Sequence, residues 1–341
     1  MSLWEEIHQQ PEVIDRALRS NDPLVARIGE ALAATEIDYV LIAARGTSDN
    51  AARYAQYVLG ARNRLPVALA APSLFGPYKA PPNLSRALVM GLSQSGASPD
   101  LVAVVEEARR QDRPTVALTN DPESPLATVA EWVVPLQAGE EQAVAATKTY
   151  TSELLAVAML SAALAREDPA GETLRLVAPA MGEVLAGSEA IALAARRVAE
   201  GDRLVVVGRG FHQATAFEWA LKIQELSYVL AQPYAEPDFR HGPQAVVEEG
   251  LAVLVVATSG PVLAGVADLA RTVLDRGAMV VAISDLPDFP ATITLPVPTL
   301  PEWVSPLPAA LAAQLFAYHL TRARGLDPDQ PRHLSKVTRT R

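Results

Sequence analysis

The stretch GLSQSGASPD (residues 91–100) directly follows the apolar run ALVM (87–90) and places serines and a glutamine around one glycine. An apolar run that stops on small polar residues is typical of a buried strand that reaches the edge of a sheet. Ser98, Pro99 and Asp100 then have the order of an N-cap, a first-turn proline and a first-turn acid, which predicts the start of a helix. The stretch therefore predicts a strand, a short loop and a helix in succession.

This loop has the composition of an anion site. Ligands bind at the carboxyl edge of open parallel sheets, where the next helix offers unpaired N–H groups and the positive end of its dipole. Hydroxyl groups come from the loop and from GTSDN, which follows an earlier apolar run: Ser93, Ser95, Ser98, Thr47 and Ser48. The alternative is an ordinary polar loop, but two such segments at one sheet edge favour a small phosphorylated ligand held without a basic residue.

Short apolar runs alternate with longer amphipathic segments along the chain, which predicts an α/β fold of parallel strands with crossover helices. The candidate strands are YVLIAA (39–44), ALVMGL (87–92), TVALT (115–119), EWVVPL (131–136), RLVVVG (203–208), LAVLVVA (251–257), MVVAIS (279–284) and TITLPV (292–297). We expect sheets of the doubly wound, flavodoxin-like kind, with helices on both faces.

The two halves of this pattern resemble copies of each other. Gly46 corresponds to Gly210 and Gly96 to Gly260, and the offset is 164 residues in both cases. A constant offset at two distant glycines indicates duplicated domains rather than chance similarity. The first copy has SQSGAS and GTSDN where the second has TSGP and GFHQA, so we expect only the first copy to keep the ligand loop.

The composition excludes several classes of function. The 341 residues carry a net charge of −10, which disfavours nucleic acid and anionic membranes as partners. No cysteine is present, the five histidines lack HxxxH or HExxH spacing, and no P-loop or GxSxG motif occurs, so we expect no metal and no organic cofactor. The first residues lack a signal-peptide pattern and no apolar run approaches about 18 residues, which predicts a cytoplasmic protein.

A second set of functional candidates follows the first strand of the second copy. Glu218, Lys222 and Glu225 are spaced i, i+4, i+7 and share one face of a predicted helix whose other residues are mostly apolar. A solvated face of ion pairs is the alternative, but buried charges need partners, and such a carboxylate can move a proton beside a carbonyl. His241 lies in the loop RHGP, where its imidazole either takes part in proton transfer or merely faces solvent.

Lysine is rare in this chain, since only Lys79, Lys148, Lys222 and Lys336 occur among the 29 basic residues. Lysine, unlike arginine, can lose its proton and form a Schiff base, so these positions are candidates for chemistry. Lys336 lies in the polar tail DQPRHLSKVTRTR (329–341), which either docks or frays as most termini do.

Several motifs together resemble the isomerase half of the glucosamine-6-phosphate synthases, which is built of two sugar isomerase (SIS) domains. They are EIHQQPEVIDRAL, GTSDNAARY, LSQSGAS, VAATKTYTSEL, FEWALKIQELSY, RHGP and DQPRHLSKVT, and they span nearly the whole chain. The loop SQSG is common to all SIS proteins, whereas ALKIQELSY and the tail are more specific to this family. The resemblance implies two tandem SIS domains, each a parallel sheet flanked by helices.

The resemblance also implies a role for each matching residue. The phosphate of the sugar would be held by Ser48, Ser93, Gln94, Ser95 and Ser98, and the sugar hydroxyls by Thr47 and the region of Val144. Glu225 would move the proton between C1 and C2, with Lys222 beside it and the reacting oxygen. His241 would open the pyranose ring from the other subunit of a homodimer. Lys336 would form the Schiff base with the ketose, with Ser335 beside it.

The departures from the family pattern concern the source of ammonia. The synthases carry a glutaminase domain that opens on a cysteine, and this sequence has neither, so we expect it not to release ammonia from glutamine. AEPDFRHGP stands where AGELKHGP is usual, and Gln224 where a lysine is frequent. The first of these is closer to stand-alone SIS isomerase–deaminases, and both weaken the expectation of a synthase.

We therefore expect a stand-alone deaminase that converts glucosamine 6-phosphate to fructose 6-phosphate and ammonia. The alternatives are an ammonia-dependent synthase or phosphohexose isomerase, a fructosamine-6-phosphate deglycase, and a phosphosugar sensor without catalysis. The expected partners are a hexose or hexosamine 6-phosphate, a second copy of the chain and, for synthesis, a separate ammonia source. The expected domains are a helix at 1–25, SIS domains at 26–180 and 190–325, and a tail at 326–341 that closes the active site.

Overall fold

The computed structural model describes residues 2–165 and 170–336. The strands are β1 (Tyr39–Ala43), β2 (Val67–Leu69), β3 (Ala87–Leu92), β4 (Thr115–Thr119), β5 (Trp132–Pro135), β6 (Arg203–Gly208), β7 (Leu230–Ala235), β8 (Ala252–Ala257), β9 (Met279–Ser284) and β10 (Ile293–Pro296). The helices are α1 (Leu3–His8), α2 (Gln10–Ala33), α3 (Thr47–Asn63), α4 (Pro99–Arg110), α5 (Pro125–Val129), α6 (Lys148–Ala165), α7 (Ala170–Arg175), α8 (Val177–Ala186), α9 (Ser188–Arg197), α10 (His212–Ser227), α11 (Glu236–Arg240), α12 (Leu263–Asp275) and α13 (Pro306–Ala323).

The chain divides into two compact units. The N-terminal unit comprises Glu12–Glu141, Lys148–Arg175 and Ser335–Arg341, and the C-terminal unit comprises Met1–Pro11, Gln142–Thr147 and Leu176–Leu334. Each unit holds one five-stranded sheet. The prediction of two α/β domains is confirmed. Each unit also includes a short segment from the opposite end of the chain, Ser335–Arg341 in the N-terminal unit and Met1–Pro11 in the C-terminal unit.

The sheet of the N-terminal unit has the order β2-β1-β3-β4-β5, and all its pairings are parallel. Every residue of β3 is buried, as expected for a central strand with helices on both faces. Ala43 of β1 pairs with Gly91 of β3, so the loops that follow these two strands leave the sheet side by side. This register brings the two hydroxyl-rich segments to the same edge of the sheet.

The sheet of the C-terminal unit repeats this topology, with the order β10-β9-β8-β6-β7 and parallel pairing throughout. Strands β6 and β9 begin 164 residues after β1 and β4, which confirms the duplication. The edge strands β2 and β7 lie outside the eight candidate strands. Both are partly exposed, and β7 contains Pro233, which a sheet tolerates at its edge.

The start of the chain forms two helices rather than the single helix expected over 1–25. Helix α1 opens with a capping box in which Ser2 and Glu5 exchange hydrogen bonds, and it ends at His8. Pro11 has no N–H to donate and would crowd the carbonyl four residues earlier, which favours a break at this point, although α2 itself continues through Pro23. Helix α2 then continues to Ala33, well past the predicted end.

Helices α7, α8 and α9 occupy the alanine-rich connection between the copies, and most residues of α13 are buried. Trp219 of α10 meets Phe316 of α13 edge to face, with ring centroids 5.1 Å apart. Among the described residues no single helix is long and apolar enough to span a membrane; the bent pair Gly171–Ala186 and Ser188–Arg197, angled by 57°, passes on length and composition alone.

Candidate active site

The loop of residues 93–98, here called the serine loop, is shaped by Gly96. Gly96 has φ +59°, and a Cβ at this position would collide with the hydroxyl of Ser124. The oxygens of Ser93 and Ser95 accept the N–H groups of Gly96 at 3.2 Å and Ala97 at 3.3 Å. The backbone N–H groups and the serine hydroxyls are therefore gathered within one tight turn.

Helix α4 begins directly after the serine loop. Ser98 holds the N-cap position in an extended conformation, as predicted, but its side chain does not cap the helix. The buried carboxylate of Asp100 in the first turn accepts two hydrogen bonds from Arg45, each 2.9 Å long. The hydroxyl of Ser98 is therefore not used by the helix itself, whereas Asp100 ties the loop to the end of β1.

Thr47 and Ser48 begin α3 beside the serine loop. Gly46 precedes them with φ +55°, which turns the chain from β1 into the helix. Ser48 is buried, and its hydroxyl donates to Glu153 on α6 at 2.7 Å. In this arrangement Glu153 engages the hydroxyl hydrogen of Ser48, so the hydroxyl has to turn away from Glu153 before it can donate to an anion.

Glu141 is a functional candidate that the sequence reasoning missed. Its side chain is fully buried, and its Oε2 accepts from the Gln94 amide at 2.8 Å and from Lys336 Nζ at 2.9 Å. Thr149 donates its hydroxyl to Oε2 and its N–H to Oε1. Glu141 therefore joins the serine loop, the start of α6 and the lysine of the tail, although these lie far apart in sequence.

Val144 lies in the segment Gln142–Thr147 of the C-terminal unit, and it is half-buried. The buried carboxylate of Glu6 on α1 accepts the N–H groups of Gln142 at 2.5 Å and of Ala143 at 3.3 Å. Helix α1 thereby fixes the backbone on which Val144 is placed.

The predicted charged face of α10 exists, and its members contact one another. Lys222 Nζ lies 3.4 Å from Glu218 and closer still to Glu225. Burial alone would lower the pKa of Lys222, but the two carboxylates outweigh burial and raise that pKa above its ordinary value. The side chains of Lys222 and Glu218 are at most 2% exposed, whereas that of Glu225 is 23% exposed. Glu225 is thus the member of the group that a solute can reach.

His241 ends α11 on the surface of the C-terminal unit, where its N–H bonds the carbonyl of Asp238 at 3.2 Å. Arg240 before it is paired with Glu236 and with Asp268, which fixes the helix end. The imidazole is therefore exposed on a well-anchored segment.

The tail docks rather than frays over the part that the structure describes. Asp329 accepts the N–H of Leu3 at 2.6 Å. Arg332 donates its N–H to the hydroxyl of Tyr228 at 2.8 Å and stacks its guanidinium over that ring at 4.3 Å. Ser335 and Lys336 follow as part of the N-terminal unit, and residues 337–341 of the predicted tail lie outside the described residues.

The corresponding loop of the second copy is closed by its own side chains. A Cβ on Gly260 would lie 2.5 Å from the carboxyl carbon of Glu302, so this carboxylate sits against the loop. His212 takes the position of Ser48 and bonds Thr258 at 2.7 Å and Ser305 at 2.9 Å. Burial lowers the pKa of His212 to about 4, so it stays neutral in this network. These contacts agree with the expectation that only the first copy keeps the ligand loop.

The structure thus divides the predicted residues between its units. The N-terminal unit carries the serine loop with Gln94, the pair Thr47 and Ser48, and Ser335 with Lys336, while Val144, Lys222, Glu225 and His241 belong to the C-terminal unit. Within the described part of the chain, no three His, Cys, Asp or Glu side chains are grouped as a metal site would require.

Residues 35–163 and 198–322 match the SIS domain, one segment for each copy. The chain belongs to the SIS domain family. Glutamine–fructose-6-phosphate aminotransferase (isomerizing) of Gloeobacter violaceus is 33% identical over 98% of this chain, and that of Thermus thermophilus is 32% identical over the same share. The SIS chain spans 58% of the length of these relatives.

Solved structures share the whole SIS architecture. A Silicibacter pomeroyi protein is 34% identical with a TM-score of 0.87, covering 96% of this chain and 99% of its own. The C-terminal domain of glucosamine–fructose-6-phosphate aminotransferase from Francisella tularensis has the same TM-score at 23% identity, covering 96% and 98%. The second likeness, at its low identity, concerns the fold alone.

Proposed function

We propose that the protein is an aldose–ketose isomerase and deaminase that converts a hexosamine 6-phosphate, glucosamine 6-phosphate above all, to fructose 6-phosphate and ammonia. The observation that carries the proposal is the charged group on α10, in which Glu225 is accessible beside an enclosed Lys222. Such a carboxylate can remove and return a carbon-bound proton, while the ammonium stabilises charge on the neighbouring oxygen. Membership in the SIS family and the serine loop support a phosphosugar substrate.

Binding of the phosphate falls to the serine loop in this proposal. The loop offers hydroxyl groups, an amide and backbone N–H groups at the start of α4, which suit a dianion without a lysine or arginine. The residues that hold the phosphate are Ser48, Ser93, Gln94, Ser95 and Ser98; Thr47, Val144 and Ser335 contact the rest of the sugar.

The chemical steps follow from the open-chain sugar. His241 opens the ring by moving a proton between the ring oxygen and the C1 hydroxyl. Glu225 takes the proton from C2 and delivers it to C1, which turns the aminoaldose into a ketimine at C2, while Lys222 stabilises the oxygen on C1. Lys336 displaces ammonia from the ketimine, and water then releases fructose 6-phosphate from the lysine.

The test is ammonia release from glucosamine 6-phosphate by the wild type and by Glu225→Gln. We expect release by the wild type and a loss of about 100-fold or more in the variant, since a general base commonly contributes that much. Glu200→Gln, which removes an exposed carboxylate of the same unit, is the matched control and should leave the rate unchanged. No release from any hexosamine 6-phosphate by folded wild-type protein would overturn the proposal.

A second candidate is the reverse reaction, synthesis of glucosamine 6-phosphate from fructose 6-phosphate and ammonia. The observation that favours it is the 33% identity to a protein named as an aminotransferase. The same residues would act in both directions, so rates must be compared. Formation from ammonium and fructose 6-phosphate with the higher kcat/KM would assign synthesis, whereas release from fructosamine 6-phosphate alone would assign a deglycase.

Binding of sugar phosphates without any turnover would leave a sensor. The joint presence of Glu225, Lys222 and Lys336 argues against a sensor, because a sensor needs the serine loop but none of these three side chains.

A further inference from the structure

Lys336 and the serine loop meet at one carboxylate. Glu141 Oε2 accepts from Lys336 Nζ at 2.9 Å and from the Gln94 amide at 2.8 Å, and all three residues belong to the N-terminal unit. The Glu141 side chain has no exposed surface, whereas that of Lys336 is 25% exposed. The ammonium is therefore open to a solute on one side and bound to a buried carboxylate on the other.

A lysine that forms a Schiff base has to lose a proton before it attacks and to carry a positive charge afterwards. The proton needs an acceptor at hydrogen-bond distance from Nζ, and the iminium that results needs a negative partner where water is excluded. Glu141 meets both requirements through its contact with the reacting nitrogen, and Thr149 fixes the carboxylate by two hydrogen bonds.

We propose that Glu141 is a catalytic residue of this site, the proton acceptor and later the counter-ion of Lys336. This inference rests on the Schiff-base role given to Lys336 in the proposed function. The ammonium passes one proton to Glu141, and the amine forms a bond to C2 of the ketose. The carbinolamine then loses its C2 hydroxyl as water, which takes the proton back from Glu141. The product is an iminium beside a carboxylate, and no further reactant is needed.

The shared oxygen adds a second consequence. Gln94 points an N–H at the carboxylate that also holds Lys336, so a phosphate that draws on the Gln94 amide changes the hydrogen bonding around the lysine. Arrival of the phosphate and release of the lysine for attack are coupled through Glu141.

The experiment is reductive trapping of Lys336 with fructose 6-phosphate and borohydride, read by mass spectrometry of the tail peptide. We expect the wild type to be trapped and Glu141→Gln to be trapped about 100-fold more slowly, as for loss of a general acid–base group. Glu141→Asp keeps the charge and should recover part of the rate, and Glu140→Gln, which removes the exposed neighbouring carboxylate, should stay near the wild type.

A second readout separates chemistry from loop shape. Glucitol 6-phosphate has no carbonyl group, so its binding reports the contacts to the phosphate and the hydroxyl groups without formation of a Schiff base. We expect Glu141→Gln to bind it nearly as well as the wild type. Trapping of this variant at the wild-type rate, or equal losses of trapping and glucitol 6-phosphate binding, would overturn the inference. If Glu141→Gln does not fold, faster trapping with Glu141→Asp than with a folded Glu141→Ala supports the inference, and equal trapping of the two overturns it.

Ammonia release from the same preparations separates this inference from the proposed function. Release without trapping in the wild type would overturn the roles of Lys336 and Glu141 and leave the deaminase in place. Trapping without release from any hexosamine 6-phosphate would overturn the deaminase and leave the role of Glu141 standing.

Discussion

Lys222 carries its ammonium on a helix whose neighbours are apolar, and it is held there by Glu218 and Glu225. Because its pKa in the folded state is raised, the stability that its charge contributes is complete below the ordinary lysine pKa and disappears only as the pH rises through the folded-state value. Near neutral pH this contribution is constant.

Lys222→Met should change that behaviour. The variant leaves the carboxylate of Glu218 buried without its cation, which we expect to cost about 3–5 kcal/mol near neutral pH. Burial favours the protonated carboxyl, so the variant should regain stability as the pH falls from about 8 to about 5. Urea denaturation at several pH values measures this, and Glu218→Gln combined with Lys222→Met should show a smaller loss. A variant whose loss is independent of pH would contradict the buried pair.

Contacts between residues close in sequence could be predicted, whereas contacts between residues far apart in sequence could not. The spacing of Glu218, Lys222 and Glu225 already places them on one face because helix geometry fixes neighbours three and four apart. Glu141 meets Gln94 and Lys336 across 47 and 195 positions, and only the folded chain sets such contacts. In the sequence, Glu141 is the second residue of an ordinary acidic pair.

At the scale of elements, the strand–loop–helix segment occurs twice, so the glycine of the first copy can be compared with that of the second. The serine loop needs glycine at position 96, because φ is +59° and a Cβ would meet Ser124. Gly260 in the second copy has no such conformation and faces the far end of the Glu302 side chain, which can move.

Gly96→Ala should therefore lose sugar-phosphate binding, whereas Gly260→Ala should keep it. A left-handed alanine costs about 1–2 kcal/mol before the collision is counted, so the first variant should also unfold at lower temperature. Calorimetric titration with fructose 6-phosphate and thermal melting measure the two effects. Equal affinity in both variants would show that the phosphate binds elsewhere.

The internal strands could be predicted from the sequence because their apolar runs are long and buried. The edge strands β2 and β7 could not, since β2 has only three residues, none of them buried, and β7 contains a proline. Pro11 marks the break between α1 and α2, but proline alone does not predict it, because Pro23 lies within α2 without ending that helix.

At the scale of the whole molecule, duplication has given two sheets of one topology and kept one ligand loop. Glu302 supplies the second copy with a carboxylate where the first copy is proposed to bind a phosphate. The net charge of −10 does not oppose a dianionic ligand, because local N–H and hydroxyl groups rather than the overall field would hold it.

A homodimer in which His241 serves the partner's site makes a further prediction. Glu225→Gln and His241→Asn should each be nearly inactive, but mixed dimers of the two should regain about a quarter of the wild-type rate, since half the dimers then hold one intact site. The measurement is ammonia release after joint refolding. The control is Glu225→Gln mixed with Lys222→Arg, which should regain no activity because both residues belong to the same chain's site. If the first mixture regained no more activity than this control, His241 would act within its own chain.

The scarcity of lysine has a practical consequence for labelling. Lys148 and Lys222 are buried, so among the side-chain amines an acylating reagent meets chiefly the exposed Lys79 and the partly exposed Lys336. Mass spectrometry can separate these two sites, which makes Lys79 an internal standard for reagent dose. The ratio of label at Lys336 to label at Lys79 then measures the fraction of molecules in solution whose tail is docked. This measurement needs no mutation and no added dye.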